Sequence, residues 1–412
     1  MADRDHETAQ PLSDFRVIDL THGISGPYCT KLLADFGANV IKVEQPGVGD
    51  YARRLGPFPN DRPDPEKSGI FLHLNTSKRG IALDLKTQGG RQALTDLLQG
   101  ADVLAESFRP GAMDRLGLGY DTLSQSHPDL VMTSFSNFGQ TGPYRDYKAS
   151  ELVFWAMGGR MNTTGQPDRV PVKLGGNHVQ YQAGNVGAMA TMFALYAGRH
   201  QGMGGQHVDI SIFESQMASM NARLSALVQY QYTGERGKRQ GGGLGGYPAG
   251  FYPCQDGYVN VQGGGAFWPR TVAMLGLPEL LEDQRFAPPM GQLSPEGREE
   301  FETTIWFPWL MQRTKRQVVE ECQRNEILSG MVNTVAEVVD DNPQFAARGY
   351  FESVEHPAAG ALRYPGVPVV TEGGWWRMAR PAPLLGQHTE EVLTGLGYSQ
   401  DKIAALQRDG VF

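Results

Sequence analysis

Glu151 opens a segment that is otherwise apolar, Glu151–Gly159 (ELVFWAMGG). A carboxylate beside Phe154 and Trp155 has its pKa raised if it is buried, and in that state it can serve as acid, base or nucleophile. The competing reading is that Glu151 sits in a first helical turn because the macrodipole favours negative charge there. His178 is a candidate general base, a role that competes with the structural one a single histidine usually has. Arg53, Arg54, Lys78, Arg79, Arg109 and Arg115 fall in loops or at element ends. A nucleotide with several phosphates needs such groups, and one guanidinium can hold a phosphate bidentately. Taken singly, each also reads as a solvated surface cation. The run Gly241–Gly246 (GGGLGG), with Gly241, Gly242 and Gly243 at its head, could pack its backbone against a substrate, no Cβ being in the way. A flexible linker has the same composition.

Other chemistries find no support. GxSxG, HExxH and P-loop patterns are absent, which removes serine hydrolases, zincins and P-loop NTPases. The first strand-to-helix turn, Gly23-Ile24-Ser25-Gly26-Pro27, followed by Glu44 at the end of the next strand, has the geography of a dinucleotide site. It lacks GxGxxG, and Pro27 removes an N–H that could face a phosphate. Cys29, Cys254 and Cys322 are odd in number and widely spaced, with no CxxC. They predict neither a disulfide framework nor a metal site, and they fit a reducing, cytoplasmic setting. Lys+Arg 37 against Asp+Glu 45, a net charge of −8, argues against a nucleic-acid partner. Gly187–Gly198 is far shorter than the roughly 20 apolar residues a membrane span needs, and the polar stretch Met1–Asp14 does not resemble a signal peptide.

The elements that must position these residues read as α/β. Phe15–Leu20 is a short apolar strand, Tyr28–Phe36 an amphipathic helix stopped by Gly37, and Asn39–Glu44 a second strand, which together predict a βαβ unit with a parallel pair. Strands at Gly80–Leu85, Asp102–Ser107, Leu130–Phe135 and His207–Ser211 continue the pattern. They alternate with helices near Gln92–Leu98, Ser150–Met157, Tyr181–Ala197 and from Ile212 to about Tyr230. The alternation predicts a doubly wound α/β domain over residues 1–225. The chain has 412 residues, 52 of them glycine without any G-x-y period, which excludes collagen and points to tight turns and close backbone approaches. From residue 226 the composition shifts. A strand at Tyr258–Gln262, a helix at Trp268–Met274 and a helix capped by Ser294 with Pro295 at its first position predict a smaller α+β domain over residues 226–350.

Several co-linear runs resemble the class III CoA-transferases, the family of formyl-CoA transferase, carnitine CoA-transferase and α-methylacyl-CoA racemase. They are Val17–Pro27 (VIDLTHGISGP), Leu32–Asp50 (LLADFGANVIKVEQPGVGD), Asn75–Leu85 (NTSKRGIALDL) and Ala105–Gly119 (AESFRPGAMDRLGLG). Phe135–Tyr144, Thr163–Asp168 and Gly204–Glu214 extend the match. The resemblance implies a large α/β domain holding acyl-CoA, a smaller domain reached by a linker that carries a mobile glycine loop at Gly241–Gly246, and a segment over residues 351–412 that returns to the large domain. It also implies an interlocked homodimer that uses coenzyme A as its acyl-CoA substrate, a carboxylic acid as the second substrate, and no metal. Carried over, Gly23, Ile24 and Gln45 become CoA contacts, Lys78 and Arg115 the phosphate and ribose cations, and Ser107 and Phe108 neighbours of adenine and pantetheine. Lys148 and Glu151 match a lysine and a glutamate lining the active site of formyl-CoA transferase.

One departure concerns the chemistry itself. The family's catalytic aspartate lies four residues before the glycine matched by Gly184, and that position is Gln180. An amide cannot carry the anhydride and thioester intermediates that a carboxylate carries. The racemase pair is absent too, since Ser150 stands where a histidine is needed. Three readings stay open: CoA transfer with Glu151 supplying the carboxylate; an isomerase, hydratase or lyase acting on a CoA thioester with Glu151 or His178 as base; and a non-catalytic acyl-CoA binder or partner subunit. The aromatics Phe154, Trp155, Tyr247, Phe251, Phe267 and Trp268 suit a pocket wall for a bulky acyl chain, and core packing explains them equally.

Overall fold

Six parallel strands, β1 (Arg16–Leu20), β2 (Asn39–Glu44), β3 (Arg79–Ala82), β4 (Val103–Glu106), β5 (Val131–Ser136) and β6 (His207–Ser211), form one sheet in the order β3-β2-β1-β4-β5-β6. The structure is a computed structural model that describes residues 10–219, 221–239 and 246–412. The helices of this region are α1 (Ser25–Asp35), α2 (Gly69–Leu74), α3 (Gln88–Leu98), α4 (Ala112–Arg115), α5 (Tyr120–Ser126), α6 (Glu151–Met157), α7 (His178–Gln201), α8 (Ile212–Ser219) and α9 (Asn221–Thr233).

The strands are apolar on both faces, as parallel strands covered by helices on each side must be. Ile18, Leu20, Ile41, Val43 and Leu104 pack with Leu94 and Leu97 of α3 and Leu123 of α5. Their alternating neighbours Val17, Val40, Val103 and Val131 pack on the opposite face with Leu33 of α1 and Leu195 of α7. Helix α1 begins at Ser25, three residues before the expected start, with Pro27 inside its first turn. Proline is tolerated there because the N–H it lacks has no intrahelical partner anyway. Helix α7 likewise begins at His178 rather than Tyr181, which moves Gln180 into its first turn.

The chain divides into two compact units, residues 1–239 with 349–412, and residues 240–348. In the first unit the C-terminal stretch covers the sheet edge. The Ala82 N–H donates to Thr389 Oγ1 at 3.0 Å, the Gly80 N–H donates to His388 Nδ1 at 3.1 Å, and a Cβ on Gly80 would stand 2.6 Å from Pro383. A hairpin, β10 (Phe351–His356) and β11 (Gly360–Pro365), belongs to this unit as well. The second unit holds an antiparallel meander, β7 (Ala249–Cys254), β8 (Gly257–Gln262) and β9 (Leu328–Met331). Its own core contains Tyr247, Val261, Trp268, Phe301 and Trp306. Tyr247 and Trp268 are therefore structural in that core, which splits the aromatic wall expected from the sequence. Gly241, Gly242 and Gly243 lie outside the described residues.

Candidate functional site

The chain leaves β1 in one direction to β2 and reaches β4 on the other side, so a crevice opens at the C-terminal ends of β1 and β4, where open α/β sheets bind ligands. Two cavities meet there. The smaller, about 330 Å³, is walled by Leu20, Val43, Leu83, Leu85 and Leu116, with Gln45, Lys86 and Arg115 at its polar side. The larger, about 870 Å³, runs past Ile24, Ser107, Arg109, Arg145, Lys148, Glu151 and Gln180. His22 and Phe108 line both, their rings 5.7 Å apart.

Phe108 is held by its N–H, which donates to Glu106 Oε2 at 2.7 Å, while Ser107 Oγ accepts from the His22 N–H at 2.8 Å. Glu106 closes β4 inside the protein, and burial pushes its carboxyl up to about 7, against the opposing pull of the Ser134 hydroxyl and the Phe108 N–H. Burial also lowers His22, with Lys42 adding to the effect. Gly23 adopts φ +82 and donates its N–H to Asp50 Oδ1 at 2.8 Å. The positive φ favours glycine, and a Cβ there would also have to displace the Tyr51 hydroxyl.

Glu151 is 6% exposed and borders the larger cavity. Its Oε1 accepts from the Val179 N–H at 2.9 Å and from Trp155 Nε1 at 3.0 Å, and its Oε2 accepts from the Gln180 N–H at 3.3 Å. Asn177, the residue before α7, makes no side-chain cap, so Glu151 supplies from another helix the acceptor that the helix start lacks. The side-chain amide of Gln180 makes no hydrogen bond among the described residues, and it borders the cavity beside Glu151. Lys148 is exposed along the same wall. His178 is exposed and does not join the residues lining either cavity.

Lys78 is placed differently from what the resemblance implies. It is fully buried, with its Nζ 3.0 Å from Asp19 Oδ2 and donating to Thr30 Oγ1, Asn75 Oδ1 and the Pro27 carbonyl at 2.8–2.9 Å. All its donors are spent inside the protein, and it lines neither cavity. Burial lowers it to about 8, and Lys78 with Lys42 holds Asp19 well below the usual carboxylate range. The lysine at the smaller cavity is Lys86, which sequence reasoning passed over. Its signal was its position just beyond β3, at the strand end where ligands gather. His22, two residues past β1, carries the same signal. Among the described residues no three His, Cys, Asp or Glu side chains converge as metal ligands.

A family model described as CoA-transferase family III matches residues 12–389. The chain is 36% identical over 410 residues to the succinyl-CoA–D-citramalate CoA-transferase of Chloroflexus aurantiacus, covering 97% of each chain. It is 35% identical to the succinyl-CoA:(R)-benzylsuccinate CoA-transferase subunit BbsE of Thauera aromatica, covering 97% of this chain and 98% of that one. In structure it is similar to a CAIB/BAIF family protein from Brucella suis, with a TM-score of 0.80, 28% identity, and coverage of 94% and 99%.

Proposed function

The chain belongs to CoA-transferase family III, and on that premise we propose that it moves CoA from an acyl-CoA to a second carboxylic acid, with the nucleotide end of CoA in the smaller cavity and the thioester in the larger. The observation that carries this reading is the carboxylate of Glu151 bordering the larger cavity beside Gln180. Attack by its less engaged oxygen, Oε2, on the thioester carbonyl forms an acyl–enzyme anhydride and releases the CoA thiolate. The thiolate then attacks the carbonyl of Glu151, which frees the donor acid and leaves a CoA thioester on the enzyme. The acceptor carboxylate repeats the two steps in reverse order. Succinyl-CoA is the first donor to test, because both named relatives use it. Incubation with succinyl-CoA and hydroxylamine should trap a covalent adduct in the wild type and none in Glu151→Gln. Wild-type activity in that variant would overturn the reading.

A second reading is favoured by the amide at Gln180 and by the three hydrogen bonds that already occupy Glu151. In it the chain is the CoA-binding partner of a related active chain; the Thauera relative is itself named as a subunit. Turnover by the purified chain alone excludes it. In the first reading the chain acts as a homodimer in the cytoplasm. An exposed apolar stripe on α7, Met189, Phe193 and Tyr196, offers one face for a second copy, and the three cysteines are buried and unpaired, as a reducing compartment allows.

A further inference from the structure

The larger cavity carries more positive charge than a thioester explains. Arg109, Arg145, Lys148 and Lys173 line it, against the carboxylates of Asp146 and Glu151. None of the four cations makes an ion pair among the described residues. The arginines lie toward the smaller cavity: Arg109 follows Phe108, which lines both, and Arg145 stands beside Gly111. The lysines belong to the segments that carry Glu151 and lead into α7. The pantetheine arm and the thioester are uncharged, so an anion for this end has to come from the acyl group or the acceptor acid.

Lys173 is held in place by its own loop. It is half-buried between the exposed Val172 and Leu174, and its Nζ donates to the Leu174 carbonyl at 2.7 Å and to the Gly176 carbonyl at 2.9 Å. An ammonium has three donors, so one is left over, and neutral carbonyls leave its charge uncompensated. Asn177, the next residue after Gly176, lines the cavity, and the Val179 and Gln180 N–H groups donate to Glu151. Gly176 and Val179 are three backbone steps apart, at most about 11 Å.

We propose that Lys173 binds a second carboxylate on the acyl group, so that the substrates are dicarboxylic acids with one carboxyl joined to CoA and the other held by this ammonium. This deepens the reading that the thioester lies in the larger cavity beside Glu151, and rests on it. Lys148, three residues before Glu151, is left for the reacting carboxylate of the acceptor. A monocarboxylic acyl chain of the same length would displace water from Lys173 and give it no partner. That penalty makes Lys173 a specificity residue, because a cation stripped of water rejects an apolar end more strongly than extra contact area rewards one.

The test is calorimetric titration of the full-length protein, Lys173→Met and Lys173→Arg with CoA and with two inert thioethers, carboxypropyl-CoA and butyl-CoA, which differ only at the distal end. The wild type should bind carboxypropyl-CoA roughly 10- to 100-fold more tightly than butyl-CoA. Lys173→Met should remove that preference by weakening carboxypropyl-CoA alone, and Lys173→Arg should keep part of it. Equal binding of the two thioethers by the wild type overturns the proposal, as does a preference that survives Lys173→Met. An equal loss for both thioethers also overturns it, by assigning Lys173 to holding the loop. A wild-type chain that binds neither CoA nor a thioether would instead refute the underlying reading of the site.

Discussion

The carboxylate of Glu151 accepts the backbone N–H of Val179 at 2.9 Å, which ties the start of α6 to the start of α7. The residue proposed to react is thus also a cap, and its two roles separate by substitution. Glu151→Gln keeps an oxygen for Val179 and Trp155, whereas Glu151→Ala leaves buried donors unpaired at a cost of about 1–3 kcal/mol. Urea unfolding should show the larger loss in the alanine variant, while both variants lose the hydroxylamine-trapped adduct. Equal stability of the two would show that the cap contributes nothing.

Gln180→Asp places a carboxylate at the position that the resemblance matches to the family's nucleophile. The variant should form a trappable adduct that survives a second change, Glu151→Gln, and should raise turnover with succinyl-CoA by at least about tenfold, about 1.4 kcal/mol of barrier. Mass spectrometry of the trapped protein locates the adduct. An adduct absent from the double variant would mean that this position does not reach the thioester.

The two lysines flanking β3 should part company when replaced. Lys78→Met removes one partner of a buried ion pair and leaves Asp19 with only the more distant charge of Lys42 and its threonine hydroxyls, a loss of about 3 kcal/mol. Lys86→Ala changes an exposed side chain at the smaller cavity, so stability should hold while CoA binding weakens. Thermal unfolding with CoA titration distinguishes them, and a CoA defect in a stably folded Lys78→Met would reverse the assignment.

Glu106 makes stability depend on pH in a stated direction. Its carboxyl is raised to about 7 by burial, from an ordinary value near 4.5. Between those values the folded chain binds more protons than the unfolded one, so stability falls as pH rises through that window and levels off above about 7. The contribution is about 3 kcal/mol, present in full below the unfolded value. Asp114 and Asp209 nearby raise the carboxyl further and act in the same sense. Glu106→Gln should remove this slope in denaturant unfolding at pH 5 to 8; an unchanged slope would assign it elsewhere.

Local pattern determined much of this protein. Runs such as VIDL and NVIKVE are rich in apolar residues at alternate and adjacent positions alike, as strands covered on both faces need to be, so the parallel α/β unit followed from the chain itself, whereas β3 ends at Ala82, three residues before the expected Leu85. The motif runs identified the family, and Arg115, Gln45, Phe108, Glu151 and Gln180 do meet at the two cavities. The tertiary structure decided the rest, because the fate of a charged side chain depends on partners distant in sequence. Lys78 is internal because Asp19, 59 residues away, meets it beside Pro27 and Thr30 of α1. His178 stands exposed at the first position of α7, while its neighbour Val179 is buried. Arg145 lies in no motif run, and only the fold brings it to Gly111 and Arg115. Spacing along the chain specifies which face of an element a residue occupies; what stands opposite that face is a property of the assembled fold.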